Sequence, residues 1–128
     1  MHSVHDNEII SYSVNLKAGE IALKTLRKED KLTVEYLLIF NGVLAHYFEN
    51  EINGSIIFDV EESDINTFLK DNKRLLTVRK AQCWPIYYDN LEELINKLRK
   101  RKYSYYIISS SYGLSGWVLA KNFNIINA

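Results

Sequence analysis

Leu32-Thr33-Val34-Glu35-Tyr36-Leu37-Leu38-Ile39-Phe40-Asn41-Gly42 is the stretch that settles the fold class. Leu32, Val34, Tyr36, Leu38 and Phe40 recur with period two, the spacing that puts side chains on one face of a β-strand. From Leu37 to Phe40 both faces are apolar, which predicts a central strand covered on both sides. Asn41-Gly42 closes the run, because a tight hairpin turn needs residues that accept positive φ.

Strand patterning continues on both sides of this run. Upstream, Ile10, Tyr12, Val14 and Leu16 alternate with Ser11, Ser13 and Asn15. Lys17-Ala18-Gly19-Glu20 reads as a turn, and Ile21, Leu23 and Thr25 continue as the second arm of a hairpin. Arg27 to Lys31 reads as a solvated connection. Downstream, Val43 to Phe48 returns as a fourth strand, and Ser55 to Val60 follows the Asn53-Gly54 turn as a fifth.

The period then changes to that of a helix. Ser63 or Asp64 caps a segment in which Ile65, Phe68 and Leu69 share a face, running to about residue 74. Asn90 caps a second helix, with Glu93 placed for a capping box. In it Leu91, Leu94, Ile95 and Leu98 follow i, i+3, i+4, i+7. Basic residues 97–102 crowd its C-terminal end, where the helix dipole favours cations. Two strands complete the chain. Tyr103, Tyr105 and Ile107 oppose Tyr106 and Ile108 in the first, and Trp117 and Leu119 oppose Val118 and Ala120 in the last, which ends at Asn122. The expected fold is α+β: a mostly antiparallel sheet of about five to seven strands with two helices packed on one face, forming one domain over residues 1–128. Residues 1–7, with His2 and His5, are expected to fray.

Composition narrows the function classes. Sixteen basic and sixteen acidic residues cancel, whereas a general nucleic-acid binder carries excess positive charge. No run approaches the roughly 20 apolar residues of a membrane helix. Residues 1–8 lack the basic and apolar regions of a signal peptide. A single cysteine, Cys83, cannot form an internal disulfide, which fits a reducing compartment. Beside Trp84-Pro85 it reads as a buried apolar residue. These features lead to an expectation of a cytoplasmic protein with no membrane contact.

Three groups of residues invite a functional reading. Ser109-Ser110-Ser111-Tyr112-Gly113-Leu114-Ser115-Gly116 offers hydroxyls and flexible glycines between two strands. It reads as a loop over 110–116 that holds an anion or a catalytic serine with His46 as base, or else as an ordinary turn. Its Gly113-x-x-Gly116 spacing matches no phosphate loop, and the segment lacks the G-x-S-x-G nucleophile elbow. Glu49, Glu51, Asp59, Glu61, Glu62 and Asp64 form an acidic stretch with no intervening Lys or Arg. Such a surface is either merely solvated or draws a basic partner and speeds the encounter. Tyrosine is enriched at interfaces, and Tyr87, Tyr88 and Tyr112 are candidate aromatic anchors. Residues 97–106 place tyrosines after a basic run, but the ribonucleoprotein sheet motif is missing.

In size, in its Asn/Lys/Ile/Tyr-rich α+β make-up, and in the stretches Phe40 to Phe48 and Ser109 to Lys121, the chain resembles the small immunity proteins encoded beside bacterial contact-dependent or polymorphic toxins. The resemblance implies a cytoplasmic protein that binds one toxin domain, the product of an adjacent gene, and blocks its active site or its substrate contact. It implies no catalytic, cofactor or metal residues. The alternative is a small enzyme or ligand-binding domain using the Ser109–Gly116 segment with His46.

Overall fold

The computed structural model describes residues 4–127. Its strands are β1 (Glu8–Asn15), β2 (Glu20–Glu29), β3 (Leu32–Asn41), β4 (Ala45–Glu49), β5 (Ile56–Ser63), β6 (Ser104–Tyr112), β7 (Ser115–Ala120) and β8 (Asn122–Asn127). Between β5 and β6 lie the helices α1 (Ile65–Asp71), α2 (Lys73–Arg79) and α3 (Leu91–Lys100), with a 3-10 turn at Lys80–Gln82. The fold is α+β, as the patterning predicts. The eight strands form one sheet in the order β4-β7-β6-β5-β1-β2-β3-β8, with every pair antiparallel.

The sheet is larger than the expected five to seven strands because β8 adds to the free edge of β3. Phe123 and Ile125 alternate there and pack on the core. The single helix predicted up to about residue 74 breaks at Asn72, whose side chain donates to the Phe68 carbonyl, so three helices replace two. β2 runs on to Glu29 through the supposed connection, paired with β3 along its whole length. β3 is flanked by β2 and β8, yet Leu37 and Ile39 are only half-buried, since no helix covers that face.

The sheet is rolled. β6 and β3 stand four strand spacings apart, about 19 Å in a flat sheet, yet the rings of Phe40 and Tyr106 lie 5.6 Å apart. β3 and β4 together pair with β8 and β7 as one long ribbon that bends at Gly42 and Lys121. A Cβ on Gly42 would sit 2.9 Å from the Lys121 side chain, so the bend requires glycine.

Two cores result. One fills the roll, with Ile21 and Leu23 of β2, Leu38 and Phe40 of β3, and Ile108 and Val118 from β6 and β7. The other lies between the helices and the outer face of β6 and β7, where Phe68 meets Tyr105 at 5.2 Å and Trp117 at 5.0 Å. The alternation read in residues 103–108 and 117–120 is what divides these residues between the cores.

Residues 4–7 are docked and not frayed. Val4 is buried in the roll, the Asp6 N–H donates to the Ile57 carbonyl (2.9 Å), and the Asn7 side chain donates to the buried Thr25 hydroxyl (3.0 Å). His2 lies outside the described residues. Cys83 is exposed, because it ends the 3-10 turn in a left-handed conformation (φ 56°) at the surface.

Candidate functional site

Charge is distributed by layer. Between residues 65 and 103, the helical part, there are ten Lys or Arg against four Asp or Glu; the rest of the chain has six against twelve. A neutral chain is thus folded into a cationic helical side and an anionic sheet. The sequence contained this signal in its acidic stretch and its basic run, but only the layering separates the two in space.

The six carboxylates predicted as a contact surface fall into two groups. Glu49 and Glu51 stand at the end of β4 and in the segment after it, while Asp59, Glu61, Glu62 and Asp64 follow β5 to the start of α1. All six are exposed. Glu62 pairs with Tyr106 and so shares the face that lines the roll, whereas Glu61, paired with Ile107, lies on the opposite face. The Glu62 carboxylate accepts from Ser104 (2.8 Å), and Asp64 sits 3.7 Å from Arg99.

The aromatic anchors divide similarly. Tyr87 (58% exposed) and Tyr112 (54% exposed) are at the surface, but Tyr88 is only 4% exposed. Its ring belongs to the helical core and its hydroxyl donates to the Leu76 carbonyl (3.4 Å), so Tyr88 is corrected from anchor to core residue. Tyr87 donates to Asp89 (2.6 Å), and Lys97 lies over its ring.

The first half of the serine-rich stretch is strand, not loop, although the β6–β7 ladder itself ends at Ile108–Gly116. β6 continues to Tyr112, held by β5 through the Ile57–Ser110 and Ile56–Tyr112 pairs, and Gly113-Leu114 lie between it and β7. Gly113 has φ 83°, and a Cβ there would meet the Ser55 hydroxyl at 2.1 Å. Three of the four hydroxyls face main chain: Ser110 donates to the Leu114 carbonyl, while Ser111 and Ser115 make longer contacts with the carbonyls of Ile56 (3.4 Å) and Gly113 (3.5 Å). His46 pairs with Val118, three residue pairs from the Glu49–Ser115 pair, about 10 Å along the strands. The structure therefore does not bring His46 to these hydroxyls. Burial holds the His46 imidazole below its ordinary pKa, with Glu51 opposing.

A groove that no sequence motif announces lies between β1 and the segment 51–55. β1 and β5 pair only at Glu8–Ile56, with the Ile9 N–H donating to Ser55 (2.8 Å). Beyond that point Asn53-Gly54 turns away, Gly54 at φ 86° and Asn50 at φ 59°, and the seam opens into a cavity of about 660 Å³. Ser55 and Leu114 floor it, Ile10 (46% exposed) and Ile52 edge it, and Glu8 and Glu51 supply negative charge. At its far end the Tyr12 hydroxyl donates to the Glu51 carboxylate, and the Tyr12 ring stands edge-on to Phe48 at 5.0 Å. The hydrogen bond to Glu51, then burial, pushes the Tyr12 phenol up to about 12.

Among the described residues no group of three or more His, Cys, Asp or Glu is placed to hold a metal ion, and no helix is long and apolar enough to cross a membrane. Comparison of the chain with protein-family models, with curated proteins and with solved structures finds no match.

Proposed function

We propose that this chain is an immunity-type protein that binds a cognate bacterial toxin domain in the cytoplasm and neutralises it by covering its active site or its contact with substrate. The observation that carries the reading is the anionic sheet side, where exposed Ile10, Ile52 and Tyr112 stand among Glu8, Glu49 and Glu51. Separated charge steers a cationic partner and orients the encounter. Exposed apolar and aromatic side chains supply the desolvated contacts in which binding energy concentrates. Inhibition of this kind involves no turnover.

The test is co-purification with the toxin domain encoded by the adjacent gene, followed by association kinetics. Charge reversal by Glu61→Lys with Glu62→Lys slows association, and the deficit shrinks as salt is raised. Unchanged on-rates at low salt would remove the β5 carboxylates from the contact. Failure of the two proteins to associate would sink the reading.

A further inference from the structure

The unpaired edge of β1 is the feature the fold leaves unused. Ile9, Tyr12 and Val14 stand opposite Thr25, Leu23 and Ile21, every second residue of β2, with the bulge at Ile10 taking up the extra residue. All three therefore turn their main-chain groups the same way. Ile9 shows which way, since its N–H reaches Ser55 on the β5 side. The main-chain groups of Tyr12 and Val14 thus face away from β2; among the described residues no strand pairs with β1 there, while β4 stands across the seam, its Phe48 ring against Tyr12 and its Ala45 and His46 lining a small cavity with Val14. Had the β1–β5 ladder continued in register, residues 54 to 51 would have filled this space; the Asn53-Gly54 turn removes them.

We infer that this split seam takes an extended, cationic segment of the partner domain as an added strand on β1. This inference rests on the immunity-type reading above. The groove has the dimensions for a short strand, since Ile10 to Tyr12 span about 7 Å and an added strand needs one lateral spacing of about 4.8 Å. Main-chain hydrogen bonds to β1 supply sequence-independent affinity, and side chains of alternate residues provide specificity. The charge of the occupant follows from the carboxylates: Glu8 stands at one end of the groove and Glu51 at the other, with Glu49 just outside. A Lys or Arg on the incoming strand meets Glu51, which Tyr12 already holds in place. Ile10 and Ile52 cover the neighbouring apolar side chain.

Amide hydrogen exchange, resolved by residue, tests this on the intact chain with and without the toxin domain. The amides of Tyr12 and Val14 slow by about tenfold or more on binding, the signature of new main-chain hydrogen bonds. Glu51→Gln, which keeps an acceptor for Tyr12 but removes the charge, weakens binding by about fivefold, the scale of one exposed charge pair. If the toxin domain binds while those two amides exchange as in the free chain, the strand-addition inference falls and the immunity reading stands. If the toxin domain does not bind, the immunity reading falls, and the probe becomes the capped peptide acetyl-Thr-Arg-Val-Lys-Thr-amide. Resonance shifts at the Tyr12 and Val14 amides with millimolar peptide, absent when Glu replaces its Arg and Lys, then keep the groove assignment. No shift overturns it.

Discussion

The rolled sheet and the helical layer solve the same problem differently. Both bury aromatic and aliphatic side chains, and both draw on β6 and β7, whose alternate residues serve one core each. The roll encloses its core mainly with strands, with Val4 and Leu114 added from outside them, and opens at one seam. The helical layer covers its core with short elements held by aromatic contacts. In this chain, a layer that is short of helix depends on a few large rings, whereas a layer rich in strands spreads its stability over ladders.

The largest effect expected from this difference is at Phe68, which is fully buried between Tyr105 and Trp117. Phe68→Ala costs about 3–5 kcal/mol, the range for deleting a buried ring, measured by urea denaturation. Because β6 and β7 belong to both cores, tryptophan fluorescence from Trp84 and Trp117 and circular dichroism from the sheet fall together. Separate midpoints would show that the two layers are independent folding units.

Gly116→Ala acts at the junction of the layers. A Cβ there would lie 1.9 Å from the Tyr47 carbonyl oxygen, so β4 must move off β7. The expected loss is about 1–3 kcal/mol, the cost of overpacking. Amide exchange locates it in β4, with β1 and β2 unaffected; uniform loss would dissolve the distinction.

The smallest effect is electrostatic and separates the regions by cause. Tyr12 in the groove and Tyr105 under the helices are both pushed up to about 12. For Tyr12 the leading cause is the hydrogen bond to Glu51; for Tyr105 it is burial, with Asn72 opposing and Asp71 adding. A raised phenol pKa contributes stability that is fully present below pH 10 and disappears as pH climbs towards 12. Tyrosinate absorbance therefore shows Glu51→Gln returning Tyr12 towards its ordinary range, while Asp71→Asn leaves Tyr105 high. Equal responses would contradict the assigned causes.

Period two made most of the strands legible, and the Asn90 cap of α3 held as read: its side chain accepts from the Glu93 N–H (2.9 Å), while the Glu93 carboxylate accepts from the Asp89 N–H (2.9 Å), one residue before the cap; of the stripe, Leu94 and Leu98 are buried but Leu91 is exposed. What escaped was decided by pairing across long separations. Ser110 and Ser111 look like loop residues, but β5 recruits them into β6. Asn122 to Asn127 have only Phe123 and Ile125 as a strand signal, and β3 supplies the rest. Asn72 breaks a helix that its neighbours would have continued. The acidic stretch was visible, but its division at the turn around Asn53 was not, and the groove exists only because two strands part there.

The division of charge has a consequence for handling the molecule. At zero net charge the protein still presents two poles, so at low ionic strength it adheres to both anion- and cation-exchange resins. The same separation of charge favours head-to-tail attraction between copies at low salt, helical side to sheet side. Added salt, more than a change of pH, keeps such a molecule dispersed.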